Sequence, residues 1–458
     1  MGNQLFTELV SSAREERDGS SLILEGAKGA KLKSKEAASY IKKLATELPQ
    51  LEEIEIKAHK FKTIPTNLHL LTSLQSLKLP DNKVEKLPSD LKLVPHLAEL
   101  DLRQNAFKEF PFDALVNVTT LRSLNLGFNQ ISVVQEPKKT EFLHLRDLDL
   151  ESNAFTTFPV EVCCMTNLVR LNLSANRLPQ LPLDIGRLIH LEELLVRRNN
   201  FDELPVSFRQ LKKLRVLDCS ENLLKEIPSD ISTLVNLHTF EAQHNQIAEI
   251  PLELCGLTRL VVLKLNGNQL KTCPEQIAQL VNLTELSLKE NELTSLPTTI
   301  GGLSSLRKLF LEYNHLESLP SQIVELKKLL VLILHNNNLK TLPVELKEMR
   351  HLLRLSLQDN PLDEATLNTI KNEGALALLK PTDVNERYDI GTISGTGTLR
   401  KYDTFRRNAR KSVLPEAHEA PAAMTSTSTS TSTSTVASTP SAPAQTSLKA
   451  ATISGTLF

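Results

Sequence analysis

Apolar positions between Leu51 and Leu362 follow neither a plain helical nor a plain strand period; they return in a block that reads LxxLxLxxNxLxxLPxxI. LQSLKLPDNKVEKLPSDL from Leu74, LVRLNLSANRLPQLPLDI from Leu168, LTELSLKENELTSLPTTI from Leu283 and LRKLFLEYNHLESLPSQI from Leu306 all fit it. Its asparagine recurs at Asn82, Asn105, Asn129, Asn153, Asn176, Asn199, Asn222, Asn245, Asn268, Asn291, Asn314, Asn337 and Asn360. The step is 23 residues except for two consecutive steps of 24, and an earlier unit from Leu51 carries His59 in the asparagine slot. Fourteen units result, and self-similarity at such a period is the signature of a solenoid.

Each slot has a physical task. The alternating pair, Leu77 and Leu79 for example, predicts a short strand with both side chains turned inward, and successive strands stack into a parallel sheet. Asparagine sits where the chain leaves the strand, and its amide can satisfy backbone groups stranded by that turn. Proline six residues later, as at Pro182 and Pro297, predicts a short convex helical segment, which Ile185 or Ile300 closes from outside. A single unit cannot bury such a stripe, whereas stacked neighbours can. The predicted architecture is therefore an α/β solenoid with a parallel concave sheet, on the order of 65 Å long at roughly 4.8 Å per strand.

Outside residues 51–362 the pattern changes. Residues 1–50 predict a helical N-terminal cap, with one apolar helical face in Asn3–Arg17, a strand at Leu22–Leu24 and a second helix over Lys35–Glu47. Residues 363–380 predict a helical C-terminal cap, and residues 381–458 a disordered tail rich in Ser, Thr, Pro and Ala. The tail holds one basic run with Arg400, Lys401, Arg406, Arg407, Arg410 and Lys411, a candidate for binding an anionic surface or equally a solubilising flank. Thr392–Thr396 recurs as Thr452–Thr456, a short duplication whose role the sequence leaves open.

Composition narrows the functional classes. Charges nearly cancel, 53 basic against 54 acidic, which excludes the bulk basicity of a nucleic-acid binder. Aromatics are 4% and tryptophan is absent, which suits aliphatic layers. The five cysteines fit no zinc spacing and do not gather at the array ends; Cys219 and Cys273 take slots that hold apolar residues elsewhere. No stretch is long and apolar enough to span a bilayer, and no signal-peptide layout opens the chain, so a cytoplasmic location is expected. No phosphate-cradling glycine loop or nucleophile motif occurs, so an enzyme is not expected.

Candidate binding residues lie at the outward positions of the sheet. Arg170, Arg177, Arg197 and Arg198 form an expected basic patch, flanked by Asp147, Asp149 and Glu151 on one side and by Asp218 and Glu221 on the other. That alternation reads equally as a docking stripe or as rung-to-rung salt bridges. Phe310, Tyr313, Val331 and Ile333, with His335 beside them, fall where polar residues would be the default and are expected to form an exposed partner site, unless a cap or tail covers them. His315 and His335 stand near Glu290 and Glu312, but their spacing does not demand a metal, and no metal or other cofactor is expected.

The 23-residue frame resembles that of the intracellular Ras-group leucine-rich repeat proteins, including Ras-suppressor and Ras-binding scaffolds, over roughly residues 51–362. The resemblance implies a horseshoe fold and a non-catalytic scaffold, with a small GTPase, its regulator or a phosphatase subunit as partner. It carries over no partner-binding residues, because the concave positions are what varies among such proteins. MGNQLFTEL also resembles the start of short myristoylated repeat proteins: Gly2 matches, while the acylation pattern wants Ser or Thr where Phe6 stands. One acyl chain anchors weakly, so Gly2 with the basic run would make a peripheral membrane tether. The leading expectation is thus a monomeric signalling scaffold, and the alternative a structural adaptor tethered at the inner face of the plasma membrane or the cell cortex.

Overall fold

The computed structural model describes residues 20–25, 34–64, 67–115, 117–133 and 144–379. Gly2, the helix expected over 3–17, the lengthened step at 134–143 and the tail from 381 onward lie outside the described residues. Within 1–386, one of two compact units, fifteen parallel strands follow one another in sequence order and the sheet does not close. Fourteen of these strands belong to the repeat units; the fifteenth is Ser21–Glu25, which pairs residue for residue with Glu53–Lys57. The architecture is the horseshoe solenoid that the frame predicts.

Most strands are three residues long, as at Arg170–Asn172 and Glu193–Leu195, so the backbone ladder alone is short. The leucines on either side are fully enclosed, and one continuous apolar core runs the length of the array. Asparagine supplies the missing bonds. Asn199 donates through Nδ2 to Val196 O at 3.1 Å and Arg197 O at 3.3 Å in its own turn, and to Leu173 O at 3.0 Å in the preceding rung. Its Oδ1 accepts from Leu178 N of that preceding rung at 3.0 Å. The pattern recurs at nearly every unit, so each asparagine closes its own turn and joins it to its neighbour. The first unit, with His59 in the slot, borrows the same device: Asn82 Oδ1 accepts from His59 N and Phe61 N.

The residue just before the asparagine is left-handed throughout the array, at φ values of 53–67° from Ala58 to Asp359. One glycine, Gly267 at φ 67°, takes that slot; elsewhere Asp, Gln, Phe, Ser, Ala, Arg, Glu, His, Tyr and Asn accept it. The frame gives no hint of this, because the slot has no fixed residue type.

The convex segments are mostly 3-10 rather than α. Proline occupies the extended residue before them, as Pro182 does at φ −76° and ψ 156°. Bonds one turn apart then carry the chain round: Ile185 N to Pro182 O, Leu188 N to Ile185 O, Leu191 N to Leu188 O. Only about five residues separate proline from the next inward leucine, too few for α-helical turns to propagate. The slot two residues past the asparagine shows a further order. Phe61, Phe107, Phe155 and Phe201 alternate there with Val84, Ile131, Leu178 and Leu224, all buried, so large and smaller side chains interdigitate.

At the start, the helix Ser34–Glu47 buries Ile41 and Leu44. At the end, Asp363 Oδ1 caps the helix Glu364–Glu373 by accepting from Thr366 N at 2.9 Å, and Ile370 packs against the core. All five cysteines are free. Burial raises the Cys163 thiol to about 12 and the Cys255 thiol to about 11, which keeps both protonated.

Two outcomes follow from this packing. Asn199→Ala leaves the buried Leu178 N–H without its acceptor and takes one of two donors from Leu173 O, Val196 O and Arg197 O, so urea unfolding should show a loss of about 1–3 kcal/mol. Thiol-specific alkylation of the native chain near neutral pH should spare Cys163 and Cys255, and denaturant should expose both.

Candidate protein-binding face

In each unit the inner surface is built from the two strand residues flanking the first inward leucine of the pair and from the two residues before the asparagine. Strict register places equivalent side chains of adjacent rungs side by side: Asp147, Arg170 and Glu193 form one row, and Asp149, Asn172, Leu195 and Asp218 another. Charged residues on this surface therefore find partners 23 residues away.

Arg170 is the clearest case. Its side chain is 13% exposed and reaches Asp147 at 3.0 Å, Asp149 at 3.6 Å and Glu193 at 3.1 Å. Burial alone would lower its pKa, but the three carboxylates outweigh that and hold it above the ordinary guanidinium value. Asn172 donates to Asp149 and Glu151, both at 3.1 Å. Arg197 and Arg198 converge on Glu221. Partial burial pushes the Glu221 carboxyl up, yet hydrogen bonds from Arg198 and Arg197 hold it below its usual value. Asp218 is buried and turned to Ser220, whose N–H and hydroxyl it accepts. Lys78 pairs with Glu53 and Glu99, Lys264 with Glu241 at 2.7 Å, and Lys308 with Glu285 at 3.1 Å.

These contacts correct the expected basic patch. Arg170 is nearly enclosed among three carboxylates, whereas Arg197 and Arg198 share the one carboxylate of Glu221 and Arg198 stays exposed. Arg177, one residue past its asparagine, is exposed and stands apart from them.

The C-terminal cluster is brought together in part. Tyr313 is 50% exposed at a left-handed φ of 57°, and its ring meets His335 edge to face with centroids 5.1 Å apart. Phe310 and Val331 are half-buried beside them. Ile333, expected to be exposed, is 4% exposed: it stands in register between Phe310 and Ser356, and the crowding of the inner surface covers it.

Glu312, named from the sequence only as a carboxylate near His315 and His335, was not among the expected binding residues. It is 8% exposed, and its Oε2 has no hydrogen-bond partner among the described residues. Burial raises its pKa, opposed by its backbone hydrogen bond and by the charges of Lys289 and His335. An exposed tyrosine meeting a half-buried histidine edge to face thus adjoins a buried acceptor with spare capacity, an arrangement that can receive a donor from a partner. Phe128, 49% exposed at the left-handed slot of its rung, is a second aromatic that the pattern did not reveal. Among the described residues no group of three or more His, Cys, Asp or Glu could hold a metal ion, and no helix is long and apolar enough to cross a membrane.

Comparison with known proteins places the repeats. A family model described as leucine rich repeat matches residues 72–131, 119–178, 258–316 and 304–362. A leucine-rich repeat protein of Leptospira interrogans is similar at 28% identity and a TM-score of 0.65, covering 80% of this chain and 90% of that one. The crystal structure of PEPR1–AtPEP1 is similar at 27% identity and a TM-score of 0.59, covering 75% of this chain and 49% of that one. A functional domain of InlJ from Listeria monocytogenes, 22% identical with a TM-score of 0.54, covers 70% of this chain and 69% of its own and shares the fold. No curated protein matches the sequence. The fold is typically that of a non-enzymatic interaction scaffold, and the described solenoid of this chain is built of leucine-rich repeats.

Proposed function

We propose that the chain is a non-catalytic scaffold that holds a protein partner against the inner face of its C-terminal rungs. One observation carries the reading: a buried Glu312 oxygen with no hydrogen-bond partner among the described residues lies next to the exposed Tyr313 and the half-buried His335 that it meets. A buried acceptor left open costs stability, and such a cost is sustained where a partner completes the bond. Aromatic side chains at the centre of a contact, surrounded by polar ones, have the make-up of an interface hot spot. Many inner charges elsewhere, among them Arg170, Lys78, Lys264 and Lys308, are paired within the array and serve mainly to fix shape and exclude wrong partners.

The partner class implied by the resemblance to Ras-group repeat proteins is a small GTPase, a regulator of one, or a phosphatase subunit. On this reading the chain acts as a monomer in the cytoplasm, at the inner face of the plasma membrane when Gly2 and the basic run from Arg400 to Lys411 tether it. The alternative role as a structural adaptor uses the same tether, with the solenoid as spacer.

The deciding experiment is affinity purification with mass spectrometry on wild type, Tyr313→Ala and a deletion after residue 380, with folding checked by thermal melt. Tyr313→Ala should lower recovery of the partner about tenfold or more, in line with a hot spot of ~2 kcal/mol. If the folded variant keeps every partner and the deletion loses them, the inner face is not the site.

Glu312→Gln tests the carrying observation separately. The folded-state pKa of Glu312 is raised from 4.5, so its contribution to stability is fully present below that value and is lost as pH rises through the raised pKa. Glu312→Gln should therefore melt above wild type at neutral pH, with the gap closing in acid, while binding the partner less tightly. Equal melting at both pH values would remove the observation on which the proposal stands.

A further inference from the structure

Most cations on the inner face, such as Arg170, Lys78, Lys264 and Lys308, are spent on carboxylates, whereas most of those on one edge are not. In-register parallel strands place all their starting ends along the same edge of the sheet, where each rung contributes the two residues before its first leucine and the one after it. From Arg122 to the end of the array, Glu192 is the one acid at these positions among the described residues. Lysines and arginines recur there: Lys212, Arg215, Arg259, Arg307, Lys328 and Arg350 are all exposed. Arg215 faces Glu192 at 3.7 Å and Arg259 bonds the Asn236 amide. Lys212, Arg307, Lys328 and Arg350 have no ion pair among the described residues. In a chain whose charges sum to −1, this is a marked segregation.

Two further features share the edge. Ile189, Val235 and Val281 stand exposed on alternate rungs, at 51%, 57% and 44%, at the position two residues before the first leucine. Towards the C-terminal half, His238, Arg259, Asn282, Thr284, Arg307 and Lys328 line an open cleft across successive rungs. Its charged groups are all basic or imidazole, and its neutral lining is Asn282, Thr284 and Ser305 with the aliphatic Val261. Thr284 and Asn282 donate to backbone carbonyls and Arg259 to Asn236, while Arg307 and Lys328 remain, among the described residues, as unpaired charged donors of the kind that a phosphate dianion accepts from.

We propose that this edge is a docking surface for an anionic phospholipid bilayer, with the cleft seating a headgroup phosphate. Unneutralised cations gain from the negative surface potential of such a bilayer, and aliphatic side chains standing among them can enter the boundary between headgroups and acyl chains. A single phosphorylated peptide would engage the cleft but would leave the rest of the edge, from Lys212 to Arg350, without a counter-charge. The bilayer matches the whole edge, and it leaves the inner face open. The inference goes beyond the partner site at Tyr313 and stands without it.

The test is co-sedimentation of the full chain, produced without acylation, with vesicles of phosphatidylserine and phosphatidylcholine and with vesicles of phosphatidylcholine alone. The combined variant Lys212→Glu, Arg307→Glu, Lys328→Glu and Arg350→Glu removes only exposed side chains, and its melting temperature verifies the fold. A second variant replaces Arg400, Lys401, Arg406, Arg407, Arg410 and Lys411 with Gln. Wild type should bind the phosphatidylserine vesicles selectively and release them as salt rises from about 0.1 M to about 1 M. The edge variant should lose at least tenfold in partitioning, and the tail variant should keep edge-dependent binding. Equal binding by the edge variant, loss of all binding in the tail variant, or capture of a phosphoserine peptide without vesicle binding would each overturn the proposal. Recovery of a partner through Tyr313 is read in the purification experiment, so the two readings fail independently.

Discussion

The bond that the rest of the solenoid depends on is the asparagine amide that spans two rungs. Three-residue strands offer little ladder of their own, and backbone N–H groups reach the carbonyls of the turn after each strand only in part. Asn199 supplies donors to three of them and accepts from the preceding rung, so turn closure and rung stacking become one event. Aspartate in that slot would present acceptors to carbonyls, and leucine would present nothing. Strict register follows, and register in turn decides every neighbour on the inner surface. Arg170 has three carboxylates around it because the ladder puts Asp147 and Glu193 on its two sides.

Much of this was legible in the sequence for a physical reason: a slot that must satisfy the same backbone groups in every unit tolerates one residue type. The leucines, the asparagines and the prolines all obey that constraint. The left-handed residue before the asparagine does not, since a backbone angle can be held by Asp81, Phe128 or Tyr313 alike when the surrounding bonds over-determine it. The 3-10 character of the convex segments was also hidden, because a proline start suits either helix and the remaining length decides.

The candidate site was less legible. Arginines read singly looked like a basic patch; read at 23-residue spacing, Asp147, Arg170 and Glu193 already spell an ion-pair row. Ile333 looked exposed because its slot faces inward over the sheet, yet on a crowded curved surface Phe310 and its other neighbours take its solvent. Glu312 could not be found by residue type, since Glu is common on such faces; what distinguishes it is an oxygen without a partner. The edge cations were overlooked because each is unremarkable alone and they gather only when strand starts are aligned.

The alternation of Phe61, Phe107, Phe155 and Phe201 with smaller residues divides the array into two grammars of growth. Where large and small side chains take turns, the quantity conserved on insertion or loss is a pair of rungs, since removing one brings two rings into the same layer or leaves two gaps together. Beyond Leu224 the slot holds aliphatic residues in every rung, and there a single rung can be gained or lost without upsetting the layers. The C-terminal half is therefore the freer half for lineage-by-lineage change in length, and it is also the half where Tyr313 and the basic cleft lie.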